Sequence, residues 1–348
     1  YWGVITIKNN IIKIIISLFI LLNLLGLNVQ KNSELQVDGL NFKINLIETA
    51  YELYSVNVIN KNNDIESLYK NTSNNSHKHY EWLIKTYNSM DTKMKQRLDN
   101  IFKNHSSFEY INQIIYKDIH TKDEIIKEII KSDINLTEDD KNDFKIFFDY
   151  FYDKYFNKYF KRQERYYNRL SKKLNNTISK SNINLKSFLA KNTNTQIKNN
   201  YKTIFYYTLN PLNSHNFVKD NVIINTIFEN SNLQDILKIP INEYSNLIFS
   251  DLINNKEFID ICKTLKNDEQ LNEDYKEFKD SYTFENWCIK NLSEGFSKYL
   301  DLKYLGYKYD FKNYTYDLEF YNYLNSKNLN KENIYDICIE FYKEITKN

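Results

Sequence analysis

Residues 241–249 constrain this chain more than any other stretch. Asn242 and Asn246 stand four residues apart, with Glu243 directly after the first. On an α-helix, positions i and i+4 share a face, so these polar side chains project together. Ile241, Tyr244, Leu247, Ile248 and Phe249 give the same helix an apolar side to bury. A second segment, Leu292-Ser293-Glu294-Gly295, follows at a separation of 294 − 246 = 48 residues. Two strand-like runs precede the first segment. The expectation is an α+β fold, mainly α-helical, with a small sheet packed on the helix of residues 242–246.

Composition excludes more than it assigns. The chain has 348 residues, enough for one large domain or two. Its 30 Tyr and 22 Phe stand beside abundant Ile, Asn and Lys and only 5 Gly and 2 Pro. That bias follows an AT-rich coding sequence rather than carbohydrate or nucleic-acid stacking. The net charge of +2 leaves no electrostatic footprint for nucleic acid. The densest basic run, Lys161-Arg162-Gln163-Glu164-Arg165, reads as a solvated helix face. Cys262, Cys288 and Cys338 lie far apart, without a C-x-x-C. One disulfide with a free thiol, or three buried thiols, are both open.

Lys8 and Lys13 precede an apolar run from Ile14 to Leu27. This matches a signal-peptide core and is short for a membrane span. Residues 1–30 are therefore expected to act as a signal peptide or amino-terminal membrane anchor through residues 11–27. The protein is then secreted or held at the cell surface.

Along the chain, residues 31–195 read as a mainly helical region. Leu40, Phe42, Ile44 and Leu46 alternate, which predicts a strand. Glu48 to Val58 reads as helix, and the polar stretch from Asn60 to His79 as containing a loop. Helical spacing returns over 80–104 and 106–131. Thr137 with Glu138, Asp139 and Asp140 predicts a helix start. The helical region it opens runs to about residue 179. Its stripe of Phe144, Phe147, Phe148, Phe151, Tyr152 and Tyr155 predicts a core face. After a polar linker near 191–200, residues 203–209 and 222–228 predict two strands joined as a hairpin with a long loop. Pro240 is expected to precede a new helix.

Asn242-Glu243-Tyr244-Ser245-Asn246 is the zinc-protease pattern H-E-x-x-H with both histidines replaced by asparagine. The segment Trp287 to Tyr299, containing Leu292-Ser293-Glu294-Gly295, resembles the W-L-S-E-G-x-A-x-Y helix of the gluzincin metallopeptidases. The resemblance covers about residues 201–302, and residues 196–348 would form a degenerate gluzincin-like domain of zincin-like fold. It implies that Glu243 stands at the general-base position. Glu294 stands at the third zinc-ligand position, and Asn242 and Asn246 where the histidines stand. It also implies that Gly295 packs closely on the motif helix. Asparagine offers a neutral amide oxygen, a weak ligand for zinc. No metal and no cofactor is therefore expected, and Glu243 has no polarised water to deprotonate.

Other histidines offer no replacement. His77 and His79, near Glu81, read as surface residues; His105, His120 and His215 are isolated, with an approach to the cleft only a minor alternative for His215, which follows the first strand. Cys288 reads as core. Three functions remain open. The first is an exported, non-catalytic relative of a metallopeptidase that binds a peptide or protein partner, with no nucleic acid involved. The second is an active metal-dependent peptidase or other hydrolase with a site rebuilt around Glu243 and Glu294, zinc being its cofactor. The third makes the motif a coincidence in a helical exported protein, which motif helices that do not touch would establish.

Overall fold

The computed structural model describes residues 34–60, 64–132, 134–181, 184–195, 202–327, 329 and 331–347. The amino-terminal signal or anchor expected over residues 1–30 lies outside the described residues. Residues 35–348 form one compact unit. The fold is α+β and mainly α-helical, with a single four-stranded mixed sheet among the described residues.

Strand β1 (Leu35–Leu40) turns directly into helix α1 (Phe42–Tyr54). Asn41 makes the turn, its side chain accepting the Ile44 N–H at the helix start. The strand predicted over 40–46 is thus mostly helix. Its alternating apolar residues are also spaced for α1, which buries Ile44, Leu46, Ile47, Ala50 and Leu53 together. The stretch from Asn60 to His79 is more helical than its polarity suggests. It contains α2 (Ile65–Thr72) and the start of α3 (Asn74–Asn88), separated by the capping residue Ser73. Helices α4 (Thr92–Phe102), α5 (Ser107–Ile114), α6 (Lys122–Ile130) and α7 (Glu138–Phe151) follow. Thr137 and Asp140 close a capping box at the start of α7, as the sequence predicts. A wider turn at Tyr152–Phe156 leads into α8 (Asn157–Lys180), then comes α9 (Leu185–Thr193). Phe144, Phe147, Phe148 and Phe151 are all buried in one hydrophobic cluster, the predicted core face.

The sheet order is β1, β2 (Lys202–Tyr207), β4 (Val222–Ile227), β3 (Asn216–Lys219). β1, β2 and β4 run parallel, and β3 alone is antiparallel. The two strands predicted around residues 203–209 and 222–228 are therefore parallel neighbours, not a hairpin. The hairpin is β3–β4, turned at Asp220, which has a φ of 52°. The sequence division near residue 195 is not a break in the sheet, because β1 precedes it and β2 follows it.

Both outer strands are treated differently. On β1, the Asn175 side chain accepts from Val37 N–H at 3.0 Å and donates to Val37 C=O at 2.6 Å. Gly39 lets α8 approach, since a Cβ there would meet Asn168 Oδ1 at 1.9 Å. On β3 no strand among the described residues occupies the outer side. Thr226 N–H donates to His215 C=O at 2.9 Å. Antiparallel ladders alternate inward and outward pairs, so Asn216 and Val218 present their N–H and C=O groups outward.

After the sheet comes α10 (Leu233–Phe249), opened by a capping box between Asn232 and Asp235. Pro240 lies inside this helix rather than before it. The strong cap two turns upstream sets the start, and the ring costs α10 one backbone bond. Helices α11 (Lys256–Leu265), α12 (Glu269–Phe278), α13 (Phe284–Leu305), α14 (Asp317–Ser326) and α15 (Ile334–Ile345) complete the unit. No helix among the described residues is long and apolar enough to cross a membrane.

Candidate functional site

Helix α10 puts Ile241, Tyr244, Ile248 and Phe249 into the core and leaves Asn242, Glu243 and Asn246 half-buried. The buried face holds the helix against the sheet. Tyr244 Oη and Thr203 Oγ1 lie 2.9 Å apart, and Ile223 shares the cluster with Ile241 and Tyr244. Helix α13 packs beside α10. Its central residues, Asn291 to Asp301, are all buried, Glu294 being 8% exposed.

The two motif helices meet through their polar residues. Ser293 Oγ donates to Asn246 Oδ1 at 2.8 Å, and Asn246 Nδ2 donates to Asn242 Oδ1 at 3.2 Å. The two motif helices therefore touch, so the separation that would have established a coincidental motif is not seen. Asn242, Glu243, Asn246 and Glu294 lie near one another, linked through Ser293 and Lys290. Gly295, however, faces away from α10. A Cβ on it would meet the Asp317 carbonyl at 2.5 Å and Phe320 Cβ at 3.0 Å, so this glycine admits α14. The next residue round a helix points about 100° away, and Glu294 already takes the side toward α10.

A residue that sequence reasoning passes over fills the centre of the site. Lys290 Nζ donates to Glu294 Oε1 at 2.6 Å and reaches Asn246 Oδ1 at 3.4 Å. Its ring neighbour is Tyr314, at 5.7 Å. Burial pulls the Lys290 pKa down, but Glu294 outweighs it, and the ammonium titrates above its ordinary value. Lys290 and Glu294 are an i,i+4 pair, which was the available signal.

Glu243 is fixed from the other side. Asn216 Nδ2, on β3, donates to Glu243 Oε1 at 2.5 Å. Burial raises the Glu243 pKa, and the Glu294 charge adds to that. Lys290, Asn216 and Asn246 oppose it without cancelling it. Glu243 is thus tied to the open strand of the sheet. Asn216 gives no warning in the sequence, because a four-residue strand carries almost no period.

Zinc does not fit these residues. Asn242 and Asn246 offer only amides, and the Glu294 carboxylate is already paired with an ammonium 2.6 Å away. A dication there would meet Lys290 before it met an imidazole. No group of three or more His, Cys, Asp or Glu side chains among the described residues is arranged to hold a metal.

The histidines correct one expectation. His79 is fully buried, not a surface residue: Nε2 lies 2.9 Å from Glu52 Oε2 and Nδ1 lies 2.7 Å from Tyr159 Oη. His215 does not approach the motif. Its Nε2 lies 2.6 Å from Glu48 Oε2, on the sheet face opposite α10. Glu48 Oε1 accepts from Asn210 and Glu52 Oε1 from Tyr69, so both carboxylates are fully engaged. Burial raises the Glu52 pKa; for Glu48, bonds from His215, Ser107 and Asn210 outweigh burial and lower it. This is a satisfied network that locks α1, α2, α3 and α8 to the sheet. Glu48 and Glu52, four apart inside an apolar helix, were its sequence signal. The other histidines pair with nearby acids: His77 with Glu66, His105 with Glu109 and His120 with Asp118. Cys262, Cys288 and Cys338 are buried free thiols, and burial raises the Cys288 and Cys338 pKa values.

Comparison with protein-family models, with curated proteins and with solved structures finds no match to this chain.

Proposed function

We propose that this is an exported, non-catalytic metallopeptidase-like protein that binds an extended peptide segment of a partner along the outer edge of β3. The observation that carries this reading is the seating of Lys290 between Asn246 and Glu294. A fixed ammonium there neutralises the acidic centre without offering a Lewis acid or an activated water. What survives is the part of such a cleft that needs no metal: an unpaired strand presenting the N–H and C=O of Asn216 and Val218. Glu243, bonded to Asn216, holds that strand against α10. Export rests on the sequence of residues 1–30 alone.

The test uses a pool of acetylated, fluorescein-labelled hexapeptides, followed by anisotropy and by mass spectrometry. Binding without cleavage is expected, lost in Val218→Pro. Proline removes an outward N–H and no ladder bond, so the fold tolerates it. Cleavage abolished by a chelator would overturn the reading in favour of a rebuilt active enzyme.

A further inference from the structure

Beneath the open strand lie two buried amide oxygens with no partner, Asn216 Oδ1 and Asn225 Oδ1. Asn225 is only 5% exposed. An unsatisfied buried acceptor costs about 1–3 kcal/mol, so two at one place call for a reason. Asn216 and Asn225 are directly opposed across β3 and β4. Their pair is the outward-bonding type, where side chains on the same face approach to roughly 5 Å. That face looks at α10. Asn216 reaches Glu243 from it, and two residues along β2 from Asn225's partner Phe205, Thr203 meets Tyr244 on the same face. The orientation of the Asn216 amide is set by Glu243: its Nδ2 donates to the carboxylate, which leaves Oδ1 free.

Three acceptors therefore share the face under the strand: the two amide oxygens and the Glu243 carboxylate. Of the two amide nitrogens on this face, Asn216 Nδ2 is already used by Glu243. The site is acidic as well as acceptor-rich, since Glu294 also acts on Glu243 while Lys290 answers both. A primary ammonium is a compact cation with three donors and no acceptor. A guanidinium needs a planar fork of acceptors that two amides on neighbouring strands do not form.

We propose that Asn216, Asn225 and Glu243 form a subsite for a lysine side-chain ammonium of the bound peptide. This rests on the docking of a peptide at β3, and deepens it by naming the side chain recognised. A residue paired on the outer edge of β3 places alternate side chains on the α10 face, so one lysine at the right register enters the subsite. Binding replaces two orphaned acceptors with bonds and lowers the energetic penalty on Glu243.

The test compares acetylated, amidated pentapeptides Val-Thr-Lys-Val-Thr and the same peptide with norleucine for lysine, together with n-butylammonium alone. The blocked ends remove any terminal amine. The lysine peptide is expected to bind about tenfold tighter, a modest discrimination on the affinity scale. Butylammonium is expected to shift the side-chain amide NMR signals of Asn216 and Asn225. Asn225→Leu should abolish the preference; Asn225→Asp, which keeps the shape and adds charge, should enlarge it even if the leucine variant folds poorly. Equal binding of both peptides, still sensitive to Val218→Pro, would overturn the subsite and leave peptide docking standing. Butylammonium binding without peptide binding would do the reverse. Calcium binding in preference to butylammonium would overturn the assignment to an amine, as would silence from every probe.

Discussion

Lys290 and Glu294 stand one helical turn apart on α13, joined at 2.6 Å. Both are largely withdrawn from water, with side chains 16% and 11% exposed. Under the proposed metallopeptidase-like reading, the pair stands at the place of a metal and its ligand, and makes the asparagines only half of the obstacle to zinc binding. The variant Asn242→His/Asn246→His is expected to hold little zinc after dialysis. Adding Lys290→Ala should raise the metal content to about one per chain by elemental analysis. Equal zinc in the double and triple variants would show that the ammonium is no barrier.

Removing one partner of a buried ion pair is worse than removing both. Lys290→Ala strands the Glu294 carboxylate and should cost about 3 kcal/mol in urea unfolding. Lys290→Met with Glu294→Leu should recover most of that loss. Additive losses in the double variant would mean that the two residues do not act on each other.

Asp301, two turns beyond Glu294 on α13, has its carboxyl pushed up to about 6 by burial, only partly offset by the Tyr309 hydroxyl. One oxygen accepts from Tyr309 at 2.7 Å and the other has no partner. The folded pKa lies above the ordinary carboxyl value of 3.8, so the folded state binds more protons between about 4 and 6. Stability is therefore lost as pH rises through that window, by up to about 3 kcal/mol at 1.36 kcal/mol per unit. Asp301→Asn should gain on the wild type over the same range. A constant gap between the two from pH 4 to 7 would contradict this.

A glycine in mid-helix normally gains about 1 kcal/mol on conversion to alanine. At Gly295 the sign should reverse, because the new methyl meets the Asp317 carbonyl at 2.5 Å. Gly295→Ala is expected to lower stability by about 1–3 kcal/mol through overpacking. Since the clash falls on α14, the contact of Ser293 with Asn246 should persist, and peptide binding with it. A rise in Tm would place the glycine against open space instead.

The legible parts of this molecule are those with a long period. The stripe from Phe144 to Phe151 repeats along a helix, and the motif segments at 242–246 and 292–299 sit on helices whose faces the spacing defines. The strands around 203–209 and 222–228 were visible as apolar runs, but their pairing was not. Parallel neighbours and a hairpin share the same local composition, and only the four residues of β3 distinguish them. The alternation over 40–46 misled because Asn41 is a cap, and one cap decides where a helix starts. His79 was hidden by its polar surroundings in sequence. Its partners, Glu52 and Tyr159, lie 27 and 80 residues away. Lys290 was hidden by familiarity, since the eye stops at the glutamate four residues on.

The amide of Asn175, bonded to both backbone groups of Val37, does for β1 what another strand would do. A fibre grows edge to edge only if every molecule can both extend and be extended. With one flank sealed by a side chain and the other open at β3, this sheet can gain a single visitor and then stops. Two copies meeting through β3 would exhaust each other. Asn175→Ala should therefore free the N–H and C=O of Val37 and weaken that seal, an effect that would appear as turbidity at high concentration.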